Sequence, residues 1–435
     1  MTWLGYGPEI LQARRDAYKE HASLTTKIIN SSGMITFIIT GSKAEGLTFY
    51  LESDRDNMVI LNCFICLEDG VNANTILRQV TVLRSCSRMS YPGHCRLLLE
   101  RRGSINFSIF NDALCDDGYG RALLSSDLHI NGLSNFPLGK NTVRRDRVGP
   151  STPNTVYGRL HHDLVHAFRY NCPNILSKWA ARPRSWPPPE VVQQVVSLGG
   201  FLTPVGFKGS KYPHVEWRVC FNAGEIELVN NLNETQIKLY VLLKMVKDDV
   251  LHPRKKEVSS YTLKNIVLWI AENNPQSLFD ERSMLHWFQE GLNALRVALF
   301  TRELPYYMIP EINLLAACGL EEEQQRTWIS TITEMINEGP RVILRLPKIR
   351  QVLIAHPEPF RWYSRRRMEL EIMELIINNY LRIDENGALD LSDSDENVQA
   401  LIRRQMKIMM EVFYRMISEG SRVNCLNDVF DRMLM

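Results

Sequence analysis

The segment "TGSKAEGLTFYLESDRDNMVILNCFICLE", residues 40–68, constrains the fold more than any other part of the chain. A Gly-Ser step, Gly41-Ser42, leads to acids at every second position, Glu52, Asp54 and Asp56, and then to an apolar run. Read as a strand, the segment puts all three carboxylates on one face, because side chains two apart point the same way. Like charges on one face repel each other, so stability alone does not call for the arrangement. It fits a cation held by oxygen ligands. The bland alternative is the solvated outer face of a surface strand. Two registers of the acid pair stay open, Glu52/Asp54 and Asp54/Asp56.

With 435 residues, 45% of them hydrophobic, the chain can bury a large core as two or three domains or one two-lobed unit. Its 51 Lys and Arg against 49 Asp and Glu give a formal charge of +2, so bulk charge selects no partner and a nucleic-acid contact needs a local basic patch. The opening "MTWLGYGPEILQARRD" lacks the apolar core of a secretory signal. The longest apolar run, near "MVILNCFICL", is far short of the roughly 20 residues that span a membrane. Nine scattered cysteines, an odd number, read as free thiols in a reducing compartment, which predicts the cytosol and no membrane contact. Cys63 and Cys66 form a C-x-x-C, but on a strand that spacing points the two thiols to opposite faces and argues against a shared metal.

Residues 8–30 read as a long helix, with proline at its start and Asn-Ser-Ser-Gly after it. "MITFIIT" is a strand and "GSKAEG" a turn. "LTFYLESDRDNMVILNCFICLE", "RQVTVLRSCS", "HCRLLLERR", "SINFSIF" and "DLVHAFRYN" read as further strands, with a long loop over 131–160. A helix starts near Pro189, and from about Glu225 the pattern is helical to the C-terminus. The acidic stretch 384–397 reads as a linker.

Taken in order, several motifs resemble the Mab-type (male-abnormal) nucleotidyltransferases, and among them the cyclic GMP–AMP synthase-like receptors of animals. The likeness runs from about residue 8 to about 315. It rests on the long first helix, Gly41-Ser42, and the acid-x-acid pair Asp54/Asp56. It continues with Asp163 ahead of "WAARPRSWPP", then Trp217, Arg218, Phe221 and Glu225 in "EWRVCFNAGEIEL", and Ser259-Ser260-Tyr261 opening a helix. Asp54, Asp56 and Asp163 are thereby the implied metal ligands and catalytic acids, for Mg2+ or Mn2+. Gly41, Ser42, Lys244 and Ser260 are implied to meet phosphates. Arg218 and Glu225 would contact a nucleobase, and Tyr261 would stack on one. The distance from Ser42 favours the Asp54/Asp56 register.

The implied fold is α+β: a bilobal nucleotidyltransferase with a spine helix, a mixed central sheet carrying the acids and a helical lobe. The expected limits are 1–224 for the core, 225–320 for the helical lobe and 321–435 for a helical extension. The implied activity is ligand-activated synthesis of a cyclic dinucleotide from ATP and/or GTP. Vertebrate cyclic GMP–AMP synthase carries a His/Cys zinc loop after its Glu-bearing helix. Here "VNNLNETQIKLYVLL" runs on without cysteine, so no zinc is expected, and double-stranded RNA or another polyanion is favoured over long DNA as activator. Cys220 replaces a serine beside the base and leaves base choice open. Arg14, Arg15, Lys19 and Lys27 on the spine helix form the expected ligand face, with basic runs at 254–256 and 365–367. An inactive fold acting as an interaction protein, and a transferase extending RNA ends, are the competing readings.

Overall fold

The computed structural model describes residues 1–29, 33–134, 141–156, 158–253, 257–380, 382–383, 389–390 and 396–434. The basic run 254–256 and most of the acidic linker lie outside the described residues. Helix and strand are mixed, as an α+β chain requires. The strands in chain order are β1 (Ile35–Thr40), β2 (Arg55–Leu67), β3 (Thr81–Cys86), β4 (His94–Arg101), β5 (Leu114–Asp116) and β6 (Ala122–Leu124). They continue with β7 (Thr142–Arg144), β8 (Ser151–Val156), β9 (Leu160–Asn171), β10 (Gly200–Thr203) and β11 (Glu216–Cys220).

The chain divides into two compact units, each discontinuous in sequence: Met1–Cys63 with Ile130–Phe168 and His356–Met435, and Phe64–His129 with Arg169–Ala355. Boundaries at 224 and 320 do not coincide with this division.

In the first unit the helix Pro8–Ile29 packs on β1 and on the C-terminal helix Pro357–Tyr380. Tyr18, Ile39 and Leu375 meet in one cluster. Leu370, Met373 and Ile377 join Ile408, Val412 and Val429 of the helices Glu396–Ser418 and Leu426–Leu434 in another. β1 pairs antiparallel with β2, Thr40 opposite Asp56, and β7, β8 and β9 form an antiparallel meander. The segment 131–160, expected as loop, thus holds β7 and β8; Gly149 and Pro150 mark the turn between them.

In the second unit the end of β2 runs parallel to β3, and β3, β4, β11 and β10 follow as antiparallel neighbours. Trp217 is fully buried and donates its indole N–H to Leu124 O at 3.0 Å. "SINFSIF", expected as a strand, ends in the helix Ser108–Asp112, whose Phe110 packs against Phe64 at 4.7 Å between ring centroids. The helices Glu234–Val246, Ser260–Asn273 and Met284–Thr301 pack together, and Leu243, Leu268 and Leu295 on them are buried. Arg182 sits among Trp269, Tyr307 and Glu272, so the first arginine of "WAARPRSWPP" is a structural cation.

Candidate functional site

Gly41 opens a short helix, Gly41–Ala44, rather than a simple turn. Its φ is +67°, and a Cβ there would lie 2.1 Å from Asp56 Oδ2, so only glycine lets that carboxylate rest against the backbone. Two residues past the helix stands Gly46 (φ +74°), where a Cβ would meet Leu11 O at 2.6 Å. Lys43 is buried and donates to Phe49 O and to Tyr50 O at 2.8 Å. Burial pushes its ammonium down to about 7.

The strand does not begin early enough to carry all three acids. Glu52 accepts the Phe49 N–H at 3.1 Å and closes a turn, and Asp54 precedes β2 in exposed chain. Only Asp56 lies on the strand, so the shared face expected for Glu52, Asp54 and Asp56 is not formed. The expected gathering of Asp54, Asp56 and Asp163 is not seen either. Among the described residues no three or more His, Cys, Asp or Glu side chains come close enough together to hold a metal ion. The strand pairing carries a narrower argument, for Asp56 and Asp163 alone. β2 also pairs with β9, and Arg55 Nη2 lies 3.5 Å from His162 Nδ1. Arg55 and His162 therefore share one face, and the next residues, Asp56 and Asp163, share the other.

Arg55 also lies 3.1 Å from His21 Nε2. Burial, then the Arg55 charge, pushes His21 down to about 4 and His162 to about 3. Both imidazoles are neutral at physiological pH and accept from the guanidinium. The donor set Asp54, Asp56 and Asp163 is all hard oxygen, which suits Mg2+ or Mn2+, and Gly41 leaves the Asp56 carboxylate its room.

The second unit builds a different constellation. Glu225, on the helix Asn222–Asn230, is 3% exposed. Its Oε1 accepts the Tyr261 hydroxyl at 2.9 Å and the Tyr306 hydroxyl at 2.6 Å; its Oε2 accepts Lys264 Nζ at 2.8 Å. Burial alone would raise this carboxyl, but the Lys264 ammonium and the two hydroxyls outweigh it and hold Glu225 below its ordinary value. Tyr261 keeps 36% of its surface exposed, with Lys264 Nζ 5.1 Å from its ring centroid. Arg218 is exposed, and Cys220 Sγ lies 3.5 Å from Thr203 Oγ1. Ser259 caps the helix Ser260–Asn273 by a reciprocal box with Thr262, which leaves Ser260 as the serine not used in the cap. Lys244 Nζ stands 5.9 Å from the Tyr240 ring, and the Tyr240 hydroxyl donates to Ser260 O. Sequence reasoning missed Lys264 and Tyr306. The spacing of Lys264 from Ser260, i and i+4 on one helix, carried that signal.

The expected ligand face on the first helix is only partly a surface. Arg14 is fully buried. Its Nε and Nη2 donate to Glu371 at 3.0 and 2.7 Å, and its Nη1 donates to Gly5 O and Gly46 O. Arg14 is thus no polyanion contact; a helix interior to the unit turns that side of itself to the core. Arg15 is half-buried and donates to Glu45 O at 3.1 Å. Lys19 and Lys27 are exposed. In the run 365–367, Arg366 pairs with Glu369 and Glu411, and Arg367 lies over Phe49. All nine cysteines are free thiols. Among the described residues no helix is long and apolar enough to cross a membrane.

Residues 235–333 match the family of the Mab-21 protein HhH/H2TH-like domain. This stretch is similar to the Mab-21 domain. The matched stretch includes Lys244, Ser260, Tyr261, Lys264 and Tyr306. The chain is also 25% identical over 236 residues to a cyclic GMP-AMP synthase-like receptor of Aethina tumida, covering 51% of this chain and 54% of that protein. It is 26% identical over 133 residues to a cyclic GMP-AMP synthase-like receptor of Nicrophorus vespilloides, covering 28% of this chain and 36% of that one. The chain therefore spans about half the length of the first relative and about a third of the second. The resemblance drawn from the motifs is borne out by these matches.

Proposed function

We propose that this chain is a nucleotidyltransferase that makes a cyclic dinucleotide second messenger from ATP and/or GTP in the cytosol, activated by double-stranded RNA or another polyanion. The observation that supports the reading is the Arg55–His162 contact, from which Asp56 and Asp163 are argued onto one face of neighbouring strands, with the Asp56 carboxylate against Gly41. Asp54, Asp56 and Asp163 would hold Mg2+ or Mn2+. Bound there, the ion supplies Lewis-acid charge that favours the attacking hydroxylate and offsets the departing pyrophosphate. Gly41 and Ser42 admit a triphosphate close to the backbone, and Lys244 and Ser260 are read as phosphate contacts of the other unit. The exposed face of Tyr261 stacks a base, a contact worth about 1–3 kcal/mol. Glu225, with one acceptor position left beyond its three donors, accepts from a base edge, and Arg218 donates to the base.

The competing reading, an inactive fold working through its surfaces, draws on Asp54 lying before the strand and on the absence of a ready cluster of three acids among the described residues. One experiment separates them. Purified protein is incubated with labelled ATP and GTP and Mg2+ or Mn2+, with and without double-stranded RNA or DNA. A cyclic product lost in Asp56→Asn and Asp163→Asn supports the enzyme. Folded protein that yields no product in any arm sinks it.

A further inference from the structure

We propose a phosphate-binding site on the β7–β8 hairpin, with Arg145 holding the phosphate tail of the bound nucleotide; this rests on the nucleotidyltransferase reading above. The register carries the argument. Arg144 stands opposite Asn154, and the Arg145 N–H donates to Pro153 O at 2.9 Å. Pro153 in turn stands opposite Asp163, and Thr155 opposite His161. Residues directly opposite share a face, so Arg145, Thr155, His161 and Asp163 all lie on the Asp163 side of the meander. Two strand spacings, about 10 Å, separate Arg145 from Asp163 along that face. A long guanidinium side chain and a nucleotide bound at the acid close that gap between them.

The Arg145 head is anchored but not neutralised. Its Nη2 lies 3.0 Å from His161 Nδ1, which the Thr155 hydroxyl also approaches at 2.9 Å. Arginine cannot accept, so this ring nitrogen carries no proton and the imidazole serves as a prop. One N–H of five is used, and Arg145 makes no ion pair among the described residues. The contrast with Arg14 on Glu371, Arg182 on Glu272 and Arg366 on Glu369 is plain. An exposed, propped, unneutralised guanidinium on the carboxylate-bearing face fits the planar oxygen edge of a phosphate. It also balances the negative charge that the acids bring to that face.

The test is equilibrium binding of ATP, GTP, adenosine and guanosine to the full chain and to Arg145→Gln and Arg145→Lys, at fixed salt with Mg2+. Melting temperatures confirm folding of these surface variants. Expected is a loss of about tenfold in triphosphate affinity for Arg145→Gln, with nucleoside affinity unchanged and partial recovery in Arg145→Lys. Equal triphosphate affinity in wild type and Arg145→Gln overturns the inference. So does a parallel loss for nucleosides, which marks a packing role, or a loss of double-stranded RNA binding with ATP binding intact, which marks a nucleic-acid surface. Wild type that binds no triphosphate overturns the nucleotidyltransferase reading and this one with it. Triphosphate binding indifferent to Arg145 leaves the wider reading standing.

Discussion

Arg14 and Glu225 are both buried charges, and each is satisfied by a different logic. Arg14 forms a two-pronged pair with Glu371 and spends its remaining donors on two carbonyls. Removing one partner strands the other away from water, so Arg14→Ala should cost about 3–5 kcal/mol in denaturant unfolding. Arg14→Met with Glu371→Leu should recover most of it, because the pair as a whole gains little over well-packed apolar groups. Glu225 gives a pH signature. Its carboxyl is held below the ordinary 4.5, so its contribution is complete above that value and fades as pH falls through the lowered one. Denaturation of wild type between pH 6 and 3 should therefore show a loss that sets in below about 4.5. Glu225→Gln should be less stable at pH 6, because Lys264 loses the carboxylate charge beside it, and should show a shallower fall. Equal slopes would remove the carboxylate from this account.

At the scale of elements, the Gly41–Ala44 helix and the start of the Ser260–Asn273 helix are where packing and function separate. Gly41→Ala puts a methyl on the Asp56 carboxylate and forces a positive φ on alanine, about 1–2 kcal/mol of backbone cost. Synthesis should fall to background while the melting temperature drops only modestly; undiminished synthesis would show that the Asp56 carboxylate does not need this seat. Ser259→Ala should cost about 1 kcal/mol through the lost cap. Ser260→Ala should leave stability within a few tenths and raise KM for the nucleotide. The reverse pattern would exchange the roles of the two serines. Much of this was legible in the sequence. The long helix 8–30, the apolar strand 34–40, the helix near Pro189 and the helical second half all follow from periodicity, proline and glycine. The misreadings have local causes. Alternating acids imitate a strand at 52–56, but Glu52 closes a turn on Phe49. A Gly- and Pro-rich run at 131–160 imitates a loop, but it contains β7 and β8, and the register puts Arg145 on Asp163's side. Tyr306 had no motif of its own; only the fold brings its hydroxyl to Glu225.

The whole molecule reads differently from its sequence because contacts over more than 350 residues of chain leave no local pattern, as the Arg14–Glu371 pair at a separation of 357 shows. Residues 356–435 look like an appendage when the motifs stop near 315. In the structure they belong to the same unit as the first helix and β1. Leu375 completes the cluster of Tyr18 and Ile39, Ser364 donates to Trp3 O, and Asn379 donates to Ala17 O at 3.0 Å. Truncation after Ala355 should therefore behave as a core deletion. It removes Glu371 from Arg14 and uncovers the apolar side of the first helix, where Tyr18 is now 5% exposed. Hydrogen exchange should show residues 8–63 losing protection. Residues 234–301, whose packing lies in the other unit, should keep theirs. Arg14 and Arg15 donate to the carbonyls of Gly46 and Glu45, at the end of the Gly-Ser segment, so the same truncation should loosen that segment too. Nucleotide synthesis should fall with it, although no acid has been touched. Unchanged exchange in 8–63 would mean that the C-terminal helices dock on an already stable unit. The dependence of the Gly-Ser segment on them would then have to be dropped.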